Sequence, residues 1–385
     1  MTRFAFPAAP SPPHAARLRA EVRRFLAEHR PAWTAEQLGR SWMGFDRDFS
    51  RAVARRGWVG MTWPRAYGGQ ERSGLERYIV LEEMLAAGAP VGAHWIADRQ
   101  SGPLLLAFGT EAQRQRYLPG IARAELAFCI GLSEPDSGSD LASLRTRAER
   151  VPGGWRLEGR KVWTTFAHLS EFMIALVRTS PAPEGGTRHI GLSQLIVDLH
   201  APGVTVRPIR DLEGEEAFNE VTFDGVMLPE EALIGQEGQG WAQATAELAY
   251  ERSGPDRYLS SFPLLDLALE TLAGADAAVA SAAEQEVGRM VARLMTLRRM
   301  SSSVAGLLDQ GEAPAREAAL VKDVGVGFEQ SVPEVVRRLL DPPAAGEDGV
   351  ARMLATLTQL SPTFSLRGGT REILRGIIAR ELGLR

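Results

Sequence analysis

The middle of this chain is patterned as short strands, and the regions on both sides of it are patterned as helices. Between residues 155 and 223, segments rich in β-branched and aromatic residues are separated by glycine and proline at short, regular intervals. On either side, apolar residues recur with the helical period. This order predicts an α+β multidomain protein with a helical N-terminal domain (1–125), an antiparallel β-domain (126–235) and a C-terminal helical bundle (236–385).

The same pattern gives the individual elements. The predicted strands are Trp155–Glu158, Arg160–Thr165, Phe172–Val177, Leu192–Val197, Val204–Ile209 and Phe218–Phe223, with Leu126–Leu132 as a further run of strand length. The predicted helices cover residues 14–30, 46–56, 74–87, 97–108, 111–118, 239–251, 261–273, 276–310, 313–328 and 370–382. Thr110 is the expected N-cap of the helix that begins at residue 111, and Gly254-Pro255 should interrupt the helical region after residue 251. A proline-rich loop is expected at 341–343.

The bulk composition is that of an ordinary globular protein. Of the 385 residues, 44% are apolar and 24% are charged, and the net charge is −4. This charge gives no electrostatic reason to expect nucleic acid or an anionic membrane as a partner. No apolar segment has the length of a signal peptide core or a membrane span, and the single cysteine, Cys129, cannot form a disulfide within the chain. We therefore expect a soluble, cytoplasmic protein in which Cys129 is buried and unreactive.

Two segments carry the residue types that a planar, phosphorylated ligand requires. The apolar run that ends at Leu132 leads into the turn Ser133–Asp140, whose hydroxyl groups and backbone N–H groups can form a nest for an anion. Further along, Trp163 lies in a predicted strand between Lys161 and Thr165, where its flat side chain can pack against a planar ring. Taken singly, the turn also fits an ordinary loop, and Trp163 also fits a core aromatic.

In this order and spacing, the two segments resemble the signature of the acyl-CoA dehydrogenase family. In that family an S/T-E-P-x-x-G-S-D turn holds flavin and substrate, and a K-x-W-I/T-T strand covers one face of the isoalloxazine ring. The resemblance extends to WVGMTWPRAYGG at 58–69, to GTEAQ at 109–113 and to the tail from residue 368 onwards. It therefore spans nearly the whole chain, and it implies the family's three-domain fold and FAD as the cofactor.

The resemblance also assigns cofactor-binding residues by motif position. These residues are Ile130, Leu132, Ser133, Ser139, Trp163, Thr165, Thr370 and Glu372. The first three would contact the ring edge through backbone and hydroxyl groups, and Trp163 and Thr165 would lie against the ring and its N5 region. Ser139 would bind the pyrophosphate and border the substrate. Thr370 and Glu372 match positions on the phosphate or adenosine side.

The implied reaction is α,β-dehydrogenation of an acyl-CoA thioester to the trans-2-enoyl-CoA, with a carboxylate as α-proton base and hydride transfer to flavin N5. Many members carry the base in a Y-E-G-T motif, but the matching residues here are Arg367-Gly368-Gly369-Thr370. In the isovaleryl and long-chain types the base lies earlier, on the first long helix after the β-domain, where this chain has Glu251. An apolar pocket would raise the pKa of such a glutamate toward neutrality.

The resemblance therefore implies Glu251 as the base, Arg252 as a substrate-binding neighbour, and the Gly368 N–H as a donor to the thioester oxygen. That donor would be one half of an oxyanion hole, whose other half in the family is a flavin ribityl hydroxyl. Without the resemblance, Glu251 is interpreted as a solvated helix carboxylate and Arg252 as a surface arginine. Lys322 and the pair Arg298-Arg299 are likewise interpreted as solvated helix faces.

Two family motifs are missing, and they leave alternatives open. No R-x-x-F-G motif occurs in 257–300, and no Q-x-x-G-G-x-G stretch precedes the tail, so the contacts that hold the FAD pyrophosphate from a neighbouring subunit are open. One alternative function is a non-catalytic partner subunit of a heteromeric acyl-CoA dehydrogenase. Another is a flavin oxidase, a monooxygenase or a carrier-protein thioester dehydrogenase on the same fold.

The expected partners follow from the same resemblance. They are an acyl-CoA substrate, an electron-transfer flavoprotein as acceptor, and either a second copy of the chain, in a dimer or tetramer, or a related subunit. The six histidines have no metal-ligand spacing, so no metal site is expected.

Overall fold

The computed structural model of the chain describes residues 4–384 except 183, 275–276 and 341–348, and it leaves the side chains of 247–251, 278–279 and 282 undescribed. The proline-rich loop expected at 341–343 therefore lies outside the described residues. The described chain forms two compact units. One comprises residues 1–45, 72–91 and 249–385, and the other comprises 46–71 and 92–248.

Helices precede and follow a block of strands, as the sequence predicts. The helices are α1 (Ala15–His29), α2 (Ala35–Arg40), α3 (Arg47–Arg55), α4 (Gly74–Ala86), α5 (Gly92–Ile96), α6 (Gly102–Phe108), α7 (Glu111–Ala122), α8 (Gly240–Ser253), α9 (Phe262–Ala273), α10 (Ala277–Asp309), α11 (Ala315–Leu340), α12 (Gly349–Leu360) and α13 (Arg371–Glu381). The strands are β1 (Phe128–Gly131), β2 (Arg147–Val151), β3 (Gly154–Thr165), β4 (Phe172–Arg178), β5 (Leu192–Asp198), β6 (Val204–Ile209) and β7 (Phe218–Pro229).

Local signals explain where several helices begin and end. The Thr110 side chain accepts from the Gln113 N–H in a capping box, which confirms the N-cap predicted for α7. The helical region after the strands breaks where expected, since α8 ends at Ser253 and a separate 3₁₀ turn covers Pro255–Arg257. The predicted helix 97–108 starts earlier, at α5, and contains a π-turn at Ala97–Ser101.

The seven strands form one mixed sheet with the order β1-β4-β2-β3-β7-β6, and β5 pairs with β4. Most neighbours are antiparallel, but β1 and β2 each run parallel to β4. The prediction of a purely antiparallel sheet is wrong on this point. A parallel pair needs a long connection, and the hairpin β2–β3 supplies it between β1 and β4. That hairpin was itself missed in part, because β2 has too little apolar alternation to be read as a strand.

The sheet has a buried apolar core. Trp155, Leu157 and Val221 belong to this apolar cluster, which also includes Cys129. Cys129 is fully buried, and burial raises the pKa of its thiol. Its predicted burial is therefore confirmed. The side-chain amide of Gln113 on α7 donates to the carbonyls of Glu231 and Leu233, at 2.7 and 2.9 Å, and holds that helix to the segment that follows β7.

Candidate active site

The predicted site residues fall into two groups, one in each compact unit. In the unit that contains the sheet, a buried ion pair joins the turn Ser133–Asp140 to strand β3. Lys161 Nζ lies 2.8 Å from Glu134 Oε1 and also donates to the Leu132 carbonyl at 3.1 Å. The Val162 N–H donates to the Ser133 carbonyl at 2.9 Å. These bonds set the turn and the strand in fixed positions relative to each other.

Electrostatics explain why this pair can exist away from water. Burial lowers the pKa of Lys161 to about 8, against the attraction of Glu134. Burial also opposes ionisation of Glu134, but Lys161 and the backbone N–H groups of Arg145 and Thr146, at 2.6 and 2.9 Å, outweigh it and lower the pKa of this carboxyl. Three donors, one of them charged, thus stabilise one buried carboxylate, which makes the turn rigid.

A β-bulge exposes Trp163. The pairing of β3 with β7 shifts by one residue between Lys161 and Thr164, and Trp163 has φ of +59°, in the left-handed region that bulky residues rarely adopt. Its side chain is 61% exposed and makes an edge contact with Phe218 at 6.3 Å between ring centroids. The interpretation of Trp163 as a core aromatic is therefore wrong. Backbone strain that holds an apolar ring in the open is typical of ligand-binding positions.

The other residues predicted from the sheet are accessible to a ligand. Ser139 is exposed, and Ile130, Leu132, Ser133 and Thr165 are half-buried. Within the part of the chain that the structure describes, the hydroxyl groups of the two serines and of Thr165 bond to no other protein group. An exposed flat ring and several available hydroxyl groups fit the donor set that FAD requires, namely a planar surface and partners for its polar edge and phosphates.

In the other unit, buried cationic side chains donate to the carbonyls of the glycine turn Gly368-Gly369, which precedes α13. Gly368 and Gly369 have φ of +63° and +93°, which only glycine adopts without strain. Arg252, at the end of α8, donates from Nε to the Gly368 carbonyl at 3.2 Å and is buried. The interpretation of Arg252 as a surface arginine is wrong. Glu251 precedes it on α8, and its side chain lies outside the described residues.

Thr370 and Glu372 lie at the beginning of α13. Thr370 is the N-cap, and its hydroxyl accepts from the Ile373 N–H. Glu372 is exposed, and its own backbone N–H and the Thr370 hydroxyl lower the pKa of its carboxyl. An ionised carboxylate at this position accepts from hydroxyl groups and repels phosphate, so Glu372 suits a ribose better than a phosphate.

Comparison with known proteins decides the family. The family described as acyl-CoA dehydrogenase, N-terminal domain, matches residues 12–125, and acyl-CoA dehydrogenase, middle domain, matches residues 129–226. Acyl-CoA dehydrogenase IpdE1 of Mycobacterium tuberculosis is 34% identical over 95% of this chain and 97% of its own length. The chain belongs to the acyl-CoA dehydrogenase family. It is therefore an oxidoreductase of a family that uses FAD.

Other relatives and solved structures of this family resemble the chain along its whole length. Acyl-CoA dehydrogenase FadE26 of Mycobacterium tuberculosis is 30% identical over 96% of this chain and 93% of its own. The structure of the Tcur3481-Tcur3483 steroid ACAD superimposes with a TM-score of 0.88 at 28% identity, covering 98% of this chain and 99% of its own. The ChsE4-ChsE5 complex of Mycobacterium tuberculosis gives a TM-score of 0.81 at 27% identity over the full length of both chains.

Two features of this acyl-CoA dehydrogenase escaped the sequence analysis. Lys322 is fully buried and donates to the Arg367 and Gly369 carbonyls, so its interpretation as part of a solvated helix face is wrong. The available signal was its position on α11, where the residues one turn away on either side, Ala318 and Gly325, are small and buried. The π-turn Ala97–Ser101 buries Asp98, which accepts from the Gly60 N–H at 2.6 Å. The polar run within an apolar helix was the available signal.

Arg298 and Arg299 are both exposed, as interpreted from the sequence. Arg298 also donates to both oxygens of the buried Glu82, at 2.7 and 3.0 Å. Among the described residues, no group of His, Cys, Asp and Glu side chains could hold a metal ion. Within the same residues, no helix is both long enough and apolar enough to cross a membrane.

Proposed function

We propose that this protein catalyses FAD-dependent α,β-dehydrogenation of an acyl-CoA thioester to the trans-2-enoyl-CoA, with Glu251 as the base that removes the α-proton. Bound FAD would accept the β-hydrogen as hydride at N5 and pass the electrons to an electron-transfer flavoprotein. The cofactor-binding residues would be those assigned by the family motifs, from Ile130 to Glu372.

The observation that carries the proposal is the conformation of Trp163. A solvated indole costs free energy, and a positive φ at a tryptophan costs about 1–3 kcal/mol more. The buried Lys161–Glu134 pair and the bulge keep that arrangement in place. A flat ligand that covers the indole would remove it from water and so offset this free-energy cost. The family places its isoalloxazine ring against the residue in this motif position.

The residues of the chain would have separate roles. The turn Ser133–Asp140 would bind the polar part of the cofactor through the Ser133 and Ser139 hydroxyls. Arg252 and the Gly368 backbone would contact the thioester, with the Gly368 N–H donating to its oxygen as negative charge develops. Glu251 would take up the α-proton as the general base of the reaction.

We propose a bulky or branched acyl group as the substrate. In the family, a base on the helix after the β-domain is found in the isovaleryl and long-chain types. A solved structure at 28% identity bears the description steroid ACAD. Thioesters of steroid side chains are therefore the first substrates to test.

A second candidate, the non-catalytic partner subunit, is favoured by one observation. Gly368 stands where many family members carry their base, and the ChsE4-ChsE5 structure is a complex of two different chains. A partner subunit would be expected to lack a base at both positions, whereas this chain keeps Glu251. We therefore rank the catalytic function first, in either a homo-oligomer or a heteromer with a related subunit.

The test of Glu251 is substitution by glutamine in the flavin-loaded protein. Glu251→Gln should slow the anaerobic bleaching of the flavin by a reactive acyl-CoA by about 10³-fold, because general base catalysis contributes about 10²–10⁴-fold. Glu270→Gln, which changes an exposed glutamate on α9, is the matched control and should leave the rate unchanged. Full activity of Glu251→Gln would contradict the assignment of the base.

A further inference from the structure

Lys322 is a buried lysine in a chain that almost never uses lysine. The sequence contains two lysines, Lys161 and Lys322, among 44 basic Lys and Arg residues, so arginine supplies nearly all of its cations. Both lysines are fully buried, and both donate to backbone carbonyls. Lysine is a compact cation with three donors, which can bridge several carbonyls where the planar fork of arginine does not fit.

Each of three consecutive carbonyls at the glycine turn accepts from a buried cationic side chain. Lys322 Nζ donates to the Arg367 and Gly369 carbonyls, and Arg252 Nε donates to the Gly368 carbonyl between them. Turns of two glycines in left-handed conformations are intrinsically flexible, because glycine has no side chain to restrict the backbone. The cations remove that freedom.

The geometry of the peptide group turns this contact into a constraint on the Gly368 N–H. The Arg367 carbonyl and the Gly368 N–H belong to one planar, trans peptide group, and they point in opposite directions. Because Lys322 holds the Arg367 carbonyl toward α11, the Gly368 N–H must point away from α11. The direction of this N–H, which the proposed function uses as a donor to the thioester oxygen, is thus set by a side chain far along the sequence.

The anchor of Arg367 makes the constraint rigid. Its Nη2 donates to Glu329 Oε2 at 3.1 Å, to Ser260 Oγ at 2.8 Å and to the Asp256 carbonyl at 3.0 Å. Glu329 lies seven residues after Lys322 on α11, so both side chains project from one face of the helix. The same helix therefore holds the side chain of Arg367 and its carbonyl.

Helix α11 is itself locked against this region. A Cβ at Gly325 would lie 2.1 Å from the Arg257 carbonyl oxygen. The backbone of α11 therefore packs directly against the backbone of Arg257 at a point between Lys322 and Glu329. The guanidinium of Arg367 also lies over the rings of Trp42 and Phe364, at 4.6 and 4.5 Å from their centroids. These contacts restrict the side chain of Arg367, and they therefore also restrict rotation of the peptide group between Arg367 and Gly368.

We propose that Lys322 is a positioning residue for the dehydrogenation and that it orients the Gly368 N–H toward the thioester oxygen. In family members with a glutamate at this position, the glutamate side chain itself restricts the backbone. The inference rests on the proposed function. It predicts that loss of Lys322 impairs transition-state stabilisation more than substrate binding. The reason is that the Gly368 N–H, which Lys322 orients, stabilises the negative charge that develops at the thioester oxygen.

The test is Lys322→Met in the flavin-loaded protein, with two readouts. The first is anaerobic single-turnover reduction, in which the limiting rate should fall by about 10²-fold while the substrate concentration for half-maximal rate changes little, as for loss of one oxyanion donor. The second is the infrared stretch of a ¹³C-labelled thioester carbonyl in the bound, unreacted complex. Its shift to lower frequency should be largely lost in the variant.

Two further variants separate positioning from folding. Lys322→Gln keeps a side-chain donor that can reach one carbonyl, and it should give intermediate values of both readouts if Lys322→Met is too unstable to purify. Tyr78→Phe breaks the buried bond between the hydroxyls of Tyr78 and Tyr258, 2.7 Å apart, in the same unit, and should lower stability without moving either readout.

The outcomes distinguish the inference from the function on which it rests. A wild-type protein that bleaches with a thioester, together with variants that keep its limiting rate and carbonyl frequency, would overturn the role of Lys322 alone. A wild-type protein that binds FAD but is bleached by no thioester would overturn the proposed function and this inference with it.

Discussion

Lys161 Nζ and Glu134 Oε1 lie 2.8 Å apart in the interior of the sheet-containing unit, and this ion pair helps to join the two segments of the family's flavin motif. One partner belongs to the turn that carries Ser133 and Ser139, and the other lies two residues before Trp163. The position of the turn relative to the indole therefore depends on a pair of buried charges rather than on the loop sequence alone.

Removing only one member of the Lys161–Glu134 pair should lower the stability of the fold. Lys161→Met leaves the Glu134 carboxylate buried with its backbone donors only, and we expect the free energy of unfolding to fall by about 3–5 kcal/mol. The double variant with Glu134→Gln should lose less than the sum of the two single changes, since no unpaired charge remains. Chemical denaturation of the four proteins measures this coupling. Additive losses would show that the two groups act independently.

The acid stability of the protein should contain a contribution from Glu134. Its pKa is lowered in the folded protein, so the stability that it contributes is fully present above about pH 4.5 and is lost as the pH falls through the lowered value. The stability difference between wild type and Glu134→Gln should therefore shrink as the pH falls below about 4.5. This window lies below the pKa of Lys161, which stays protonated throughout. A difference that does not depend on pH would contradict the shift.

Replacing Trp163 by glycine should separate stability from cofactor binding. Glycine tolerates the φ of +59°, so the FAD-free variant should be as stable as wild type or more stable by about 1 kcal/mol. Its affinity for FAD should fall by at least about tenfold, or about 1.4 kcal/mol, because the flat contact surface is lost. Thermal unfolding and a fluorescence titration with FAD give the two quantities.

Met227→Ala is the matched control for this variant. Met227 lies on β7 of the same sheet and is 59% exposed, close to the exposure of Trp163, but its backbone is not strained. Its removal should change neither the apo stability nor the FAD affinity by a measurable amount. Equal losses of FAD affinity in both variants would show that exposed apolar area in general, and not the indole at this position, governs binding.

Cys129 offers a direct probe of the core. It is fully buried, and its thiol pKa is raised by burial, so a thiol-reactive chromogenic reagent should modify it at the rate of unfolding. The denatured protein, in which one thiol per chain reacts at once, is the control. Fast stoichiometric modification of the native protein would show that the sheet opens more readily than its packing implies.

The sequence predicts the element order well, because hydrophobic periodicity and caps are local signals. Thr110 caps α7 as predicted, and the break after α8 lies at Gly254-Pro255. The missed elements α2 and β2 are short, whereas α12 was missed although its buried apolar residues follow the helical period. The parallel pairing of β1 with β4 depends on contacts between distant segments. Such pairings leave no trace in a local pattern.

The candidate site, like the fold, was predicted only in part from the sequence. Motif positions identify Trp163 and Ser139, but not that Trp163 is exposed and strained or that Lys161 is the cation behind it. Lys322 could not be recognised, because its role comes from a contact with carbonyls 45 and 47 residues away. The identity of the base stays a prediction, since the Glu251 side chain lies outside the described residues.

The measurement that tests the central claim most directly is an anaerobic titration of the FAD-loaded protein with straight, branched, cyclic and steroid side-chain acyl-CoA thioesters, followed by the visible spectrum. The account predicts that at least one bulky or branched thioester bleaches the flavin band and yields the corresponding 2-enoyl-CoA. A yellow protein that no thioester bleaches, or a chain that takes up no FAD, would contradict it, and the second result would point instead to a non-catalytic partner subunit.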